Sequence, residues 1–283
     1  MLIFLIFTEM YINCNGELVS LKTPKVMGIL NITPDSFFEN SRVTQTDVLN
    51  RVEEMLSQGA DFIDIGGYSS RPNAKEVSVE EELTRVIPIV KSITKTFPKI
   101  RLSVDTFRSE VARQSLLEGA YIINDISGGN LDNQMFEVIA EFQVPYIAMH
   151  MIGTPQTMQN HTNYTNIITE MIYYFSKIKA KAQGFGINDI IIDPGFGFSK
   201  TLDQNYEILQ KLNLFKALEL PILVGISRKS MLYNLLEINQ DKALNATSIV
   251  NTISLMKGAN ILRVHDVTEA KECIKIFNKT FNK

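Results

Sequence analysis

Short apolar runs recur along the chain, each too brief for a helix, with amphipathic stretches between them. They cover residues 25–30, 61–65, 101–105, 121–125, 145–150, 189–193, 221–226 and 260–264, eight in all. Each is rich in β-branched residues and apolar on both faces, the pattern of a parallel strand covered on both sides. Between them, residues 46–57, 79–96, 109–118, 135–142, 164–183, 203–218 and 245–257 carry apolar residues at three- and four-residue spacing, and 268–277 follows the last run. That spacing gives one apolar face to a helix. Three junctions read "SQGADFI", "LEGAYII" and "MKGANIL". Glycine just past a helix is a C-terminal cap signal, so one helix-to-strand unit is used repeatedly.

Eight strand–helix units in 283 residues, with no linker-like shift in composition, predict an α/β fold of the (β/α)8 barrel type, a TIM barrel. A doubly wound open sheet is the alternative, but its glycine fingerprint is missing after the first run, which ends "GILNITPDS". Residues 11–21 read as a short N-terminal hairpin turning at Asn15-Gly16, placed to close the bottom of the barrel. One domain over residues 1–283 is expected, with residues 1–10 unassigned. Their start, "MLIFLIF", lacks a basic flank and is too short to span a bilayer. It reads as a strand-like edge or as the product of a start site placed upstream of Met10. No membrane association is expected. A net charge of −3 argues against a nucleic-acid surface. The two cysteines, Cys14 and Cys273, stand far apart with no metal spacing, which favours a reducing compartment, the cytoplasm.

In a barrel of this kind chemistry belongs at the C-terminal strand ends. In order these are Asn31; Asp64; Asp105; Asn124 and Asp125; Met149 and His150; Asp193; Ser227, Arg228 and Lys229; and Arg263 with His265. Asp105, Asn124 and Asp193 offer acceptors, and a flat heterocycle with amino and ring N–H groups would satisfy them. Phosphate would not. Arg263, His265 and Arg71 suit a polyanion. Lys229 and Ser230, opening "SRKSMLYNLL", suit a smaller anion at a helix N-terminus. Bland readings stand beside these. Asp193-Pro194 is also a turn initiator. Asp64 is as well suited to bracing the mouth as to touching a ligand. Asp125 points away from Asn124 by alternation and reads as structural. His150 is a core histidine or a ligand. His161 and Lys200 read as solvated loop groups, and Lys229 as a Schiff-base lysine or a hydrogen-bond donor. "GFGFSK" does not match a phosphate-cradling loop.

Eight motifs in order, "MGILNITPDSF", "IDIGGYSSRPNA", "SVDTFR", "INDISGG", "MHMIGTPQTMQ", "DPGFGFSK", "GISRKS" and "RVHDV", resemble the dihydropteroate synthase family of pterin-binding enzymes. The resemblance spans nearly the whole chain after about residue 11. It implies a transferase of folate biosynthesis that condenses 6-hydroxymethyl-7,8-dihydropterin diphosphate with 4-aminobenzoate, the target of sulfonamides, dimeric and using Mg2+. It places the pterin at Asp105, Asn124, Met149, Asp193 and Lys229. It places the diphosphate at Asn31, Ser70, Arg71, Arg263 and His265, with Asn31 on the metal. The aminobenzoate falls among Ser69, Ser70, Pro72, Phe198 and Lys229, with its carboxylate at Ser230. Asp35, Arg71 and Lys229 take catalytic roles, and loops 33–37 and 69–72 close the site. The resemblance departs at Tyr68, Ser70 and Asn73, where the family commonly has Glu, Thr and Gly, and these changes bear on aminobenzoate affinity. Two other functions compete. Pterin-binding methyltransferases that serve a corrinoid share such a barrel without a diphosphate site. A catalytically silent pterin-binding protein is the third reading.

Overall fold

The computed structural model describes residues 9–32, 45–68 and 77–281. The first element is the expected hairpin, β1 (Tyr11–Cys14) and β2 (Glu17–Ser20). Asn15 and Gly16 between them both take positive φ, 53° and 84°, as a two-residue turn between twisted strands requires.

Eight strands follow: β3 (Lys25–Asn31), β4 (Phe62–Gly66), β5 (Leu102–Asp105), β6 (Ile122–Asp125), β7 (Tyr146–Met149), β8 (Ile190–Asp193), β9 (Leu223–Val224) and β10 (Ile261–Val264). They form one parallel sheet in the order β8-β7-β6-β5-β4-β3-β10-β9. The ends meet where Ile192 bridges Ile222 and its N–H donates to the Pro221 carbonyl at 2.9 Å. The sheet is therefore a nearly closed TIM barrel, and the open doubly wound alternative is excluded.

Helices α1 (Gln45–Ser57), α2 (Val79–Thr96), α3 (Ser109–Leu117), α4 (Met135–Phe142), α5 (Ile167–Gly184), α6 (Leu202–Lys211), α7 (Ser230–Tyr233), α8 (Leu244–Lys257) and α9 (Val267–Phe281) surround it. The repeated Gly-Ala junctions all do the same thing. The N–H groups of Ala60, Ala120 and Ala259 return to Met55, Ser115 and Ser254, closing each helix before the next strand.

Three expected elements differ. The helix expected from residue 164 starts at Ile167, because Asn166 caps it by accepting from Thr169 N. The residues before it are tied elsewhere, with Tyr164 Oη donating to Ser199 O at 2.9 Å and Gln204 to Thr162 O at 2.7 Å. The helix expected over 203–218 tightens after Lys211 into a 3-10 helix, Leu212–Leu218. Its buried Leu212, Phe215 and Leu218 recur at intervals of three, which a three-residue turn aligns on one face. The helix expected after Lys229 is a single turn of four residues.

Alternation sorts the strand side chains. Outward residues such as Ile63, Val104 and Ile192 join the main core under the helices. Inward residues at the strand starts, Met27, Phe62, Ile122, Ile147, Ile191, Leu223 and Ile261, form a second core with Ile12, Cys14, Val19 and Leu21 of the hairpin segment. The hairpin thus plugs the bottom of the barrel, each large apolar group there contributing roughly 1.5–3 kcal/mol. Among the described residues no helix is long and apolar enough to cross a membrane.

Candidate active site

Two positions beyond that apolar layer, the inward residues turn polar: Phe62 gives way to Asp64, Ile122 to Asn124, Ile191 to Asp193 and Ile261 to Arg263. The period of two puts each on the same inner face as its apolar predecessor. Strand register sets them side by side, Asp105 opposite Asn124 and Met149 opposite Asp193. Four consecutive strands therefore supply one arc of the mouth: Asp105, Asn124, Met149 and Asp193.

Arg263 completes this arc. Its Nε donates to Asp64 Oδ2 at 2.6 Å and its Nη2 to Asp105 Oδ2 at 2.7 Å. Asp64 Oδ2 also accepts from Asn124 Nδ2 at 3.0 Å. Asp64 is wholly buried and braces two other site groups through Oδ2, the bracing role the sequence offered beside ligand contact, while its Oδ1 has no protein partner. Burial raises the Asp105 carboxyl above its ordinary range; Arg263 opposes this, and Asp64, sharing the same guanidinium, adds to it.

A second network lies around Asp193. Burial raises its pKa, and Lys229 and the Gly195 N–H, at 2.7 Å from Oδ1, oppose the shift. Lys229 donates to Phe196 O at 2.6 Å and lies 4.7 Å from the Phe198 ring centre. Burial lowers the Lys229 amine to about 8, against the pull of Asp193. These are the contacts of a hydrogen-bond donor and local cation. Gly225 stands next to both networks: a Cβ there would meet Asp193 Oδ2 at 3.8 Å and Arg263 at 3.9 Å. Its bare backbone leaves room between them.

An apolar wall faces these charges. Ile126, Met149, Met151 and Met158 pack as a cluster with Phe107 and Phe198. Three of its members come from the methionine-rich motif "MHMIGTPQTM", a signal the sequence carried and only Met149 was read from. Methionine fits such a wall because its flexible, polarisable side chain packs well on flat rings.

Asn31 ends β3, adjoining β10, and His265 follows β10, so the two stand on neighbouring strands at the mouth. His265 Nδ1 lies 3.0 Å from Ser227 Oγ, a partner the sequence reading missed. Ser230 opens the single turn α7 beside Lys229. A helix this short has little dipole, so an anion there would depend on the Ser230 hydroxyl and Lys229. Arg228 is structural: it grips Asp266 through Nε and Nη2, both at 2.8 Å. Asp125 is structural as expected, accepting from Ser127, Gly129 and Tyr146. His150 is a core histidine, packed on Tyr164, Tyr174 and Phe175. Lys200 corrects its expected role. It is 4% exposed, with its amine bonded to carbonyls of its own loop. The expected site residues Asp35, Ser69, Ser70, Arg71 and Pro72, and Asn73, lie outside the described residues.

Among the described residues no group of three or more His, Cys, Asp or Glu side chains is placed to hold a metal ion. The oxygen donor at the end of β3 is the Asn31 amide. One protein oxygen supplemented by substrate phosphates and water is a donor set that Mg2+ accepts, whereas zinc and calcium ask for more protein ligands.

Comparison with known proteins adds the following. A family model described as pterin binding enzyme matches residues 27–265. Dihydropteroate synthase of Escherichia coli strain K12 is 42% identical over 270 residues, 94% of this chain and 95% of the relative. That of Synechocystis is 42% identical over 259 residues, 90% of this chain and 89% of the relative. Among solved structures, Yersinia pestis dihydropteroate synthase in a sulfonamide drug complex superposes with a TM-score of 0.91 at 39% identity, covering 97% of this chain and 100% of the other. The Xanthomonas albilineans enzyme with 4-aminobenzoic acid gives 0.90 at 32% identity, covering 98% and 100%.

Proposed function

The chain belongs to the dihydropteroate synthase family of pterin-binding enzymes, and on that premise we propose how its residues divide the work. The activity is that of a transferase in folate synthesis. It joins 6-hydroxymethyl-7,8-dihydropterin diphosphate to 4-aminobenzoate and yields 7,8-dihydropteroate and pyrophosphate. The arc of Asp105, Asn124 and Asp193 facing the Met149 wall carries the assignment, because it suits one face and the donor-rich edge of a pterin.

In this reading Asp193 and Asn124 take the ring's amino and N–H groups, Lys229 a ring acceptor, and Met149 the ring face. Arg263, held by Asp64 and Asp105, lies between the ring and its diphosphate. Asn31 and His265 take the diphosphate, together with Ser70 and Arg71. When bound, Mg2+ on Asn31 and the diphosphate offsets negative charge on the leaving group. As the methylene carbon–oxygen bond breaks, positive charge spreads over the pterin. Asp105 and Asp193, fixed before reaction by Arg263 and the Gly195 N–H, stabilise that charge as it forms. The neutral aniline nitrogen of 4-aminobenzoate attacks the same carbon without needing a general base to become nucleophilic, and the secondary ammonium so formed then loses its proton to the departing pyrophosphate or to water. Phe198 and Pro72 flank the aminobenzoate ring, and Ser230 and Lys229 its carboxylate. A sulfonamide, of the kind bound by the Yersinia pestis relative, would take the same place.

The two competing readings fare less well. A corrinoid-serving methyltransferase has no use for the cationic diphosphate side, and a silent binder has none for a pre-paired Arg263. A cytoplasmic location fits the two cysteines, both buried and unpaired. A homodimer fits the apolar outer face of α8.

Incubation with the pterin diphosphate, 4-aminobenzoate and Mg2+ tests the assignment. Pyrophosphate release should require aminobenzoate and be matched by dihydropteroate. Asp193→Ala should lose at least about a hundredfold in pterin affinity, since it leaves buried ring donors unpaired. Wild-type pterin affinity in that variant would refute the role of Asp193.

A further inference from the structure

We propose that Lys200 is a positioning residue that holds Phe198, and with it the aminobenzoate side of the site, from behind. The proposal rests on the reading of Phe198 as the residue against the aminobenzoate ring. It begins with the loop 193–200, whose backbone is sharply bent: Gly195, Gly197 and Ser199 take φ of 67°, 84° and 51°. Such turns aim carbonyl groups away from any ladder, and buried carbonyls need donors. Lys200 provides them. Its Nζ reaches Phe198 O at 2.7 Å, Gly195 O at 2.9 Å and His150 O at 3.2 Å. It also lies 3.1 Å from His150 Nδ1. Three carbonyl acceptors call for three N–H donors, which the ammonium form has; burial pulls the Lys200 amine well below its ordinary range, and Asp193 opposes that pull.

The loop is thereby gripped on two sides. Lys229 takes Phe196 O and sits over the Phe198 ring. Lys200, buried beneath, takes the carbonyls on either side of Phe196. Ser199 ties the same loop to the one after β7, its Oγ accepting from Ile152 N and donating to Ile152 O, both at 2.9 Å. Asp193 meets this clamp only indirectly, through the Gly195 N–H on its Oδ1 and a minor electrostatic pull from Lys200. It lies in β8, in register with Met149, and its carbonyl accepts from His150 N at 2.9 Å. Removing the Lys200 amine should therefore loosen Phe198 and leave the pterin reader in place.

The test uses Lys200→Met, which keeps the stem and loses the donors, with Lys200→Arg as the conservative partner. In Lys200→Met, KM for 4-aminobenzoate should rise at least tenfold while KM for the pterin diphosphate changes less than threefold. Amide hydrogen exchange over 194–199 should quicken at least tenfold. Lys200→Arg should recover part of the protection and show a KM increase at least threefold smaller than that of Lys200→Met. A general packing role would lower the melting temperature and the active fraction without separating the two KM values. That outcome overturns the proposal, as would wild-type KM and exchange in Lys200→Met. If Lys200→Met does not fold, Lys200→Gln, which keeps polarity but cannot supply three donors from one atom, decides: a threefold or greater rise in KM for aminobenzoate with pterin KM unchanged supports the role, and wild-type values overturn it. Exchange over 194–199 reads the clamp without catalysis, so a wild-type enzyme that made no dihydropteroate would refute the functional reading separately.

Discussion

Beside Asp105, whose carboxyl burial raises to about 7, Lys229 is the site group that titrates within the working pH range. Burial lowers its pKa to about 8, against the attraction of Asp193. A group that must donate as an ammonium loses its proton as pH rises through that value. kcat/KM for the pterin diphosphate should therefore fall above pH about 8, by roughly tenfold per unit. Lys229→Arg keeps its charge throughout and should abolish this alkaline limb, while misplacement of the larger group lowers the plateau by about a hundredfold. A steady-state pH profile of both proteins checks this; an unchanged limb in the variant would assign the titration elsewhere. The acid limb should lie above the ordinary carboxylate range, because burial raises both Asp105 and Asp193. At this scale the sequence was readable wherever alternation alone decides. The period of two put Asn124 on the inner face and Asp125 on the outer one, where Asp125 accepts from Ser127, Gly129 and Tyr146. Asp64 and Lys200 were not readable, because their meaning comes from partners far along the chain. Arg263 lies 199 residues from Asp64, and His150 lies 50 from Lys200. No local pattern encodes such a meeting.

The strand ends and the loops that follow them show two different uses of glycine at one site. Gly195 has a left-handed φ of 67°, and a Cβ there would come within 2.3 Å of the His150 carbonyl oxygen, which is backbone and cannot step aside. Gly225 has no such strain, and its added Cβ would meet only ordinary contacts at 3.8–3.9 Å. Gly195→Ala should therefore destabilise the fold by about 2 kcal/mol or more. Gly225→Ala should unfold at the wild-type denaturant midpoint and lose pterin affinity, since its methyl fills the space beside Asp193. Denaturant titration and pterin binding measured on both variants check the contrast; equal stabilities would undo it. Element positions were mostly legible because eight buried strands and their amphipathic partners each carry their own period. The misses fall where tertiary ties override it. The 3-10 helix Leu212–Leu218 trades helical pitch for three aligned core residues, and β9 shrinks to two residues as the chain leaves the ladder toward Lys229.

At the scale of the molecule, the barrel explains its site and its bottom plug but leaves one surface unaccounted for. Helix α8 buries Ala246, Val250 and Leu255 inward, yet Ile249 and Met256, seven residues apart, are 52% and 58% exposed on its outer face. The adjoining α9 and the adjoining 3-10 helix also carry exposed apolar residues, Ile276 at 66% and Leu214 at 47%. A helix apolar on both sides is one that expects cover on both sides. The face lies on the outer ring of helices and not at the strand ends, so a second copy docked there would leave both mouths open to substrate. If the proposed homodimer forms through this face, Ile249→Glu should shift it from dimer to monomer at micromolar concentration in sedimentation or light scattering, and a wild-type protein that is itself monomeric would refute the dimer. Its intrinsic cost to the fold should be small, within roughly 0.5 kcal/mol for a surface position. Apparent stability should nevertheless fall and lose its dependence on protein concentration, because dimerisation stabilises the folded state by mass action. A variant that stayed dimeric, with the wild-type concentration dependence, would place the interface on another face of the barrel.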